Sequence, residues 1–160
     1  MTSTSHKIRA LGFNDLPQVI AIERRAFPTP WSLAMFVLEL SKPSGVCLAA
    51  VDGSDGATVL GYLVCSRYDR VWHLMNIAVD PGTRRRGIAG DLLHEMLERA
   101  GREQSFTLEA RTSNAIAIAL YERFGFRSAG TRPRYYQDTG EDAVIMWRTA
   151  ETASTSSASG

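Results

Sequence analysis

The stretch between residues 76 and 93 limits the possible folds of this chain more than any other part of its sequence. It begins with an apolar, strand-like run that ends at Val79, turns into three consecutive arginines at 84–86, and reaches Gly87. From Ile88 onward the apolar residues follow helical spacing. The first N–H groups of such a helix lack intrahelical partners, and glycine lets an anion approach the backbone closely. The stretch therefore predicts a strand, an anion-binding loop and a helix within a mixed α/β fold.

Signals for further strands and helices lie on both sides of this stretch. Apolar runs bounded by turn residues predict strands over 8–11, 46–51, 58–66, 71–79, 106–111, 127–134 and 143–148. Prolines or capping side chains predict helices that start near Pro17, Ser32 and Asn114, and helical spacing predicts a longer helix over 88–100. The sequence thus predicts a mixed sheet with helices on its faces.

The composition of the chain indicates its domain organisation. The 160 residues are 44% hydrophobic and 22% charged, as in an ordinary globular protein. We expect disordered ends at residues 1–6 and 149–160, where small and polar residues have little to bury. The remaining residues, 7–148, are expected to form a single domain.

Charge and cysteine content argue against several functional classes. The net charge of +1 gives no strong field, so we expect no direct binding to nucleic acid or to a membrane surface. The sequence shows neither a long apolar span nor a secretory leader, so we expect a cytoplasmic protein, with a monomer as the default. Cys47 and Cys65 form no metal-binding spacing with the three histidines, so the sequence implies no metal.

The basic loop, considered alone, allows two interpretations. Its arginines either belong to a phosphate-binding site or form a solvated charge run before an ordinary helix. The loop is not a P-loop, because no Gly-Lys-Ser/Thr follows, and it lacks the glycine spacing of a dinucleotide-binding turn.

A resemblance to a known family favours the first interpretation. Arg84-Arg85-Arg86-Gly87-Ile88-Ala89 resembles the R/Q-x-x-G-x-G/A signature of the GNAT superfamily of acyl-CoA-dependent N-acetyltransferases. The resemblance implies the GNAT fold, a mostly antiparallel twisted sheet of about six or seven strands flanked by about four helices. It also implies acetyl-CoA as the co-substrate. The coenzyme contacts that it implies come from Ile77, Ala78, Val79, Arg85, Arg86, Gly87, Ile88, Ala89, Gly90 and Asn114.

The downstream sequence is similar to the RimI-type branch of this superfamily, the bacterial ribosomal-protein-alanine N-acetyltransferases. The similarity covers residues 107–126, the run Arg134-Tyr135-Tyr136 with the residues that follow it, and the segment 27–32. It implies that the protein acetylates the N-terminal amine of a protein, the N-terminal alanine of a small-subunit ribosomal protein, by direct attack of the amine on the thioester.

Acetyl transfer requires a base for the ammonium proton and an acid for the departing thiolate. The resemblance assigns these roles to Glu109 and Tyr121, respectively. Without it, Glu109 also fits a surface ion pair with Arg111, Tyr121 fits core packing, and Asn114 fits a helix cap. His73 and His94 are interpreted as structural or solvated residues.

The acceptor site is the least constrained part of the prediction. We expect Trp31, Tyr135 and Tyr136 to border a peptide groove, although packing within a sheet explains the two tyrosines equally well. Glu23 is a further candidate, for attracting a cationic N-terminus. The alternatives for the function are acetylation of a small amine (an aminoglycoside or a polyamine), broader acetylation of protein N-termini and lysines, and non-catalytic binding of acyl-CoA.

Overall fold

The computed structural model describes residues 5–83 and 87–159, with side chains as far as Ser154. Within these residues it contains seven strands and five α-helices. The strands are β1 (His6–Ala10), β2 (Gly45–Asp52), β3 (Val59–Tyr68), β4 (Val71–Val79), β5 (Ser105–Arg111), β6 (Arg127–Tyr136) and β7 (Glu141–Arg148). The helices are α1 (Leu16–Ala26), α2 (Leu33–Ser41), α3 (Ile88–Ala100), α4 (Ala115–Arg123) and α5 (Ala150–Ser159). Short 3₁₀ helices cover Phe13–Asp15 and Pro81–Thr83.

The strands form one sheet in the order β1-β2-β3-β4-β5-β7-β6. Strands β1 and β2, β2 and β3, β5 and β7, and β6 and β7 pair antiparallel, whereas β4 and β5 pair parallel. A parallel pair needs a long crossover connection, and α3 supplies it here. This architecture confirms the predicted mixed, mostly antiparallel α/β fold.

The chain divides into two compact units. The first runs to Ser66 and resumes over Met75–Arg99, and the second comprises Arg67–Leu74 and continues from Ala100. In the first unit, α1 and α2 pack on β2 and β3. The core cluster there is formed by Leu11, Leu16, Val19, Ile22, Phe36, Ala49, Val51, Val59, Tyr62, Val64 and Ala78.

Helix α3 carries a second set of buried side chains in the first unit. They are Ile88, Leu92, Leu93, Met96 and Leu97. Their spacing is that of one helical face, as the sequence predicted. This face fixes the orientation of the helix, and therefore of its N-terminus.

The second unit has its own apolar interior. Phe106 and Leu108 of β5 are buried, and the ring of Trp72 stacks against Phe106 with ring centroids 6.4 Å apart. Helix α4 contributes Tyr121, whose ring meets Phe126 edge-on at 6.0 Å. Phe106 and Leu108, on one face of β5, therefore pack in the interior. Thr107, Glu109 and Arg111 lie on the other face of the strand.

Parts of the two segments expected to be disordered belong to secondary-structure elements. His6 already belongs to β1 and pairs with Asp52. Residues 150–159 form α5, which Thr149 and Thr152 cap reciprocally: each backbone N–H donates to the other's hydroxyl oxygen, at 3.2 and 2.8 Å. A Cβ placed on Gly125 would lie 3.1 Å from Cα of Ala153, so the small residues judged to have nothing to bury instead permit close packing.

None of the helices within the described residues is long and apolar enough to cross a membrane.

Candidate active site

The predicted coenzyme segment occupies the end of β4 and the start of α3, in the first unit. Ile77, Ala78 and Val79 lie in β4. The parallel register joins Val71 to Ser105, Trp72 to Phe106 and His73 to Thr107, and both strands continue beyond the last of these pairs. Arg85 and Arg86 lie outside the described residues.

Gly87 stands directly before α3 with a φ of 72°, a conformation that side chains rarely adopt. A Cβ at this position would meet no described atom within 4 Å, so the backbone is open to a ligand there. The N–H of Asp91 donates to the carbonyl of Gly87 at 3.0 Å, which closes the first helical turn. The amides that precede it have no partner within the helix and carry the positive end of its dipole.

Three predicted coenzyme residues occupy this first turn, and they differ in what they can offer. The side chain of Ile88 is buried in the core at 2% exposure, so only its backbone amide is available. Ala89 and Gly90 are half-buried and lack long side chains. This arrangement matches an anion site built from backbone groups.

Asn114 caps α4 in the second unit. Its side-chain oxygen accepts a hydrogen bond from the N–H of Ala117 at 3.3 Å. The capping role is therefore confirmed, and its amide nitrogen remains a candidate contact for the coenzyme.

Glu109, the predicted base, is half-buried on β5 and hydrogen-bonded to a histidine. Nε2 of His73 lies 2.8 Å from its Oε1, and its side chain is 13% exposed. The hydrogen bond from His73 lowers the pKa of Glu109, and burial opposes this effect. The charges of His73 and Arg132 lower that pKa further. Glu109 is therefore a carboxylate at neutral pH and able to accept a proton.

Tyr121, the predicted acid, is buried in the same unit. Burial, and to a lesser degree Tyr136, raises its pKa to about 12. The pKa of Tyr136 also rises to about 12, chiefly because of burial, with Glu109 among the groups that contribute. Tyr136 therefore lies within electrostatic reach of both Glu109 and Tyr121. The unit thus brings an ionised carboxylate together with two protonated hydroxyls.

Arg111 holds Tyr136 in place. Its guanidinium lies 4.1 Å from the centre of the Tyr136 ring and donates to both carboxylate oxygens of Asp138, at 3.1 and 2.8 Å. Tyr135 packs edge-on against Tyr136 at 5.1 Å and remains 44% exposed. Packing thus explains Tyr136 in part, whereas Tyr135 is free to meet a ligand.

The acceptor prediction for Glu23 is wrong. Glu23 is only 1% exposed, and its Oε1 accepts hydrogen bonds from the Tyr62 hydroxyl at 2.6 Å and from Nδ2 of Asn76 at 2.9 Å. Its Oε2 accepts from the N–H of Trp31 at 2.8 Å. A carboxyl group used in this way ties the loop before α2 to the sheet and does not meet an incoming amine. Trp31 itself is half-buried, with its ring 5.0 Å from that of Phe36.

Among the side chains that the structure describes, no three His, Cys, Asp or Glu residues cluster closely enough to hold a metal ion.

Comparisons with known proteins identify the family. Residues 16–126 match the family described as "Acetyltransferase (GNAT) family". The chain belongs to the GNAT family. It is 37% identical over 147 residues to the N-alpha-acetyltransferase RimI of Mycobacterium tuberculosis, covering 88% of this chain and 90% of that protein.

The chain also resembles a second relative, which has no assigned function, and a solved N-acetyltransferase structure. An uncharacterized protein of Mycobacterium leprae is 38% identical over 143 residues, and these cover 86% of this GNAT chain but only 39% of that longer protein. The crystal structure of the ribosomal-protein-S18-alanine N-acetyltransferase from Escherichia coli superimposes with a TM-score of 0.80 at 33% identity, covering 89% of this chain and 92% of that one. This GNAT protein is therefore an N-acetyltransferase that resembles RimI.

Sequence reasoning missed one member of the candidate site, His73. Strand geometry supplies part of the signal. Side chains two positions apart on a strand lie on the same face of the sheet, and residues paired across neighbouring strands also share a face. His73 pairs with Thr107, so Glu109 lies on the same face as His73. The register itself is not readable from the sequence, and without it His73 was indistinguishable from a structural histidine.

Proposed function

We propose that this GNAT enzyme transfers the acetyl group of acetyl-CoA to the N-terminal amine of a protein, with the N-terminal alanine of a small-subunit ribosomal protein as its acceptor. The names of the relatives support the acceptor, since one is an N-alpha-acetyltransferase and another acts on the alanine of ribosomal protein S18. The sequence similarity covers nearly the whole length of both proteins.

The observation that carries the proposal is the presence, in one compact unit, of the ionised Glu109 and the protonated Tyr121. The pKa of a protein α-amine is ordinarily about 8, so its ammonium form must lose a proton before the amine can attack the thioester. Glu109 is ionised and takes that proton, directly or through a water molecule. Tyr121, whose pKa is raised to about 12, keeps its proton at neutral pH and donates it to the departing thiolate.

The cysteines favour direct transfer over an acetyl-enzyme route. Burial, together with the charge of Glu39, raises the pKa of Cys47 to about 11. Burial also raises the pKa of Cys65, which is fully covered. Both thiols are therefore protonated at neutral pH, whereas a thiol nucleophile must be a thiolate. The amine is then expected to attack acetyl-CoA itself, within a ternary complex.

The residues around α3 fit a coenzyme with a pyrophosphate. The open backbone at Gly87 and the free amides of Ile88, Ala89 and Gly90 provide the donors, and Arg85 and Arg86 add charge. The backbone of Ile77, Ala78 and Val79 would pair with the pantetheine arm, and Asn114 would add a side-chain contact. Bound there, acetyl-CoA supplies the activated thioester.

The acceptor peptide is assigned to three aromatic residues, of which only Tyr135 is exposed. Tyr135 and Tyr136 lie on β6, at the edge of the sheet, and Tyr135 is accessible. Trp31, which precedes α2, is a separate candidate that rests on the family resemblance. We assign these three residues to the acceptor and none of them to the chemistry.

Mass spectrometry of acetylated peptides tests the proposal. The protein is incubated with acetyl-CoA and a peptide that begins Ala-Arg-Tyr, beside a matched peptide with a blocked N-terminus and an internal lysine. One acetyl group on the free N-terminus alone supports the proposal. Acetylation of the blocked peptide's lysine would instead indicate a broader protein acetyltransferase.

Competition with a small amine completes the test. Under the proposal, the peptide outcompetes spermidine and an aminoglycoside at equal concentration. Acetylation of spermidine or the aminoglycoside with no transfer to either peptide would contradict the proposed acceptor while leaving the N-acetyltransferase assignment intact.

A further inference from the structure

The most informative contact outside the assigned roles is the one between His73 and Glu109. Nε2 of His73 lies 2.8 Å from Oε1 of Glu109, and the two side chains are 28% and 13% exposed, respectively. Among the described residues, His73 is the only hydrogen-bond partner of this carboxylate, and its Oε2 has none. Oε1 of Glu109 is therefore bound by His73, and Oε2 is available to a ligand.

The sheet fixes this geometry. The facing pair His73 and Thr107 puts the imidazole beside the side chain two positions further along β5, which is Glu109. On its other side the imidazole meets the ring of Tyr68 edge-on, with centroids 6.4 Å apart. Both partners stand on strands rather than loops, which suits a contact that must keep its length through a reaction.

The remaining charged groups near Glu109 act at longer range. Arg132 lowers the pKa of Glu109 through its charge, and Tyr136 interacts with the carboxylate electrostatically. Arg132 lies instead over the ring of Tyr135, with its guanidinium carbon 5.8 Å from the ring centre. The β7 residue paired with Glu109 is Ile145, which carries no charge. His73 alone among these groups can orient the carboxylate.

We propose that His73 is a positioning residue for acetyl transfer: its Nε2–H binds Oε1 of Glu109 and so presents Oε2 to the acceptor amine. This inference rests on the proposed role of Glu109 as the base. Because a carboxylate has no proton to give, Nε2 of His73 carries the proton of this hydrogen bond. His73 does not touch the substrate in this scheme, and its effect on turnover passes through Glu109.

Nuclear magnetic resonance tests the contact without any reaction. In ¹⁵N-labelled protein the three histidines are few enough to assign, with His73→Gln identifying the signal of interest. We expect a slowly exchanging, downfield Nε2–H resonance for His73, because the bonded proton is protected from water. Glu109→Ala should abolish this resonance. Its absence from the wild-type protein would overturn the proposal.

Kinetics then separate positioning from structural support. His73→Ala should lower kcat for the peptide by about tenfold or more, the usual worth of a hydrogen bond to a charged group, with KM for acetyl-CoA changed less than about twofold. It should also move the acidic limb of the kcat profile to higher pH, because the pKa of Glu109 is no longer lowered by His73. His73→Gln keeps an N–H donor and should restore most of the turnover.

The control is the same substitution at an unrelated exposed histidine, His94→Gln on α3, which should leave kcat and its pH profile unchanged. A loss in His73→Ala that glutamine does not rescue, with a raised KM for acetyl-CoA and no shift of the acidic limb, would mean structural support and overturn the inference. A wild-type protein that shows the resonance but transfers no acetyl group to a peptide contradicts the proposed function, and with it the part of this inference that concerns transfer.

Discussion

Two glutamates, one in each compact unit, show how the surroundings of a carboxyl group decide its use. Glu23 is 1% exposed, and three donors occupy its two oxygens. Glu109 is 13% exposed at its side chain and has one oxygen bound by His73 and one without a partner among the described residues. The first is fully satisfied within the protein, and the second retains capacity for a substrate.

The difference lies in the donors rather than in the degree of burial alone. Glu23 receives its hydrogen bonds from a hydroxyl, an amide and a backbone N–H that belong to β3, β4 and the segment before α2. Such a carboxyl group joins elements together, since each of its bonds ends on a different one. Glu109 is bound only by the ring of His73 among the described residues. We therefore expect substitutions of Glu23 to affect folding and substitutions of Glu109 to affect turnover.

The largest expected effect is on stability, in Glu23→Ala. The change leaves the hydroxyl of Tyr62, the amide of Asn76 and the N–H of Trp31 without their acceptor in a buried place, and should lower the free energy of unfolding by roughly 3–5 kcal/mol. Urea unfolding followed by tryptophan fluorescence measures it. If the alanine variant does not fold, Glu23→Gln, which keeps one acceptor oxygen, gives a smaller loss in the same direction. An unfolding curve equal to that of the wild type in both variants would contradict this account.

The matched substitution at the other site is Glu109→Gln. It preserves the shape of the side chain and an oxygen for His73 but removes the base, so kcat for the peptide should fall by about 10²-fold or more. The free energy of unfolding should change by less than about 1 kcal/mol, in contrast to Glu23. Steady-state kinetics beside urea unfolding checks both parts. Full activity in this variant would show that another group removes the proton.

Tyr121→Phe tests the second proposed catalytic group, the general acid. The ring keeps its packing against Phe126 and loses only the hydroxyl, so kcat should fall by about 10²-fold while binding of acetyl-CoA stays within about twofold. Tyr136→Phe is the natural companion, because this hydroxyl lies within electrostatic reach of both Glu109 and Tyr121. An equal or larger loss of kcat in Tyr136→Phe, with Tyr121→Phe nearly normal, would move the role of acid to Tyr136.

The sequence predicted the elements better than the contacts between them. Helix α3 was expected over 88–100 and occupies Ile88–Ala100, because five apolar residues at helical spacing define one face. The α5 helix was not predicted because its alanines and serines carry no apolar face. The contacts described for it are the Thr149–Thr152 cap and the close approach of Ala153 to Gly125.

In the candidate site, too, the residues were predicted better than the contacts between them. The family resemblance singled out Glu109 and Tyr121, and the structure places both in one unit with properties that suit a base and an acid. It could not reveal the partners of Glu23 or of Glu109, since those depend on which strands are neighbours and in what register. Glu23 was therefore assigned to an incoming amine although its oxygens are occupied within the protein, and the contact between His73 and Glu109 was not predicted.

The smallest expected effect is on the pH dependence of the unfolding free energy, through the protonation of Glu109. Its folded-state pKa lies below the ordinary glutamate value of 4.5, chiefly because His73 donates a hydrogen bond to it. A group with a lowered folded pKa stabilises the native state fully above its unfolded pKa, and this contribution is lost as the pH falls through the folded value. The difference in unfolding free energy between the wild type and Glu109→Gln should therefore shift in favour of the variant as the pH falls from about 6 to about 3. His94→Gln should keep a constant difference from the wild type over the range in which Glu109 titrates. A constant difference for Glu109→Gln as well would mean that its carboxylate gains nothing from folding, and the contrast with Glu23 would then rest on exposure alone.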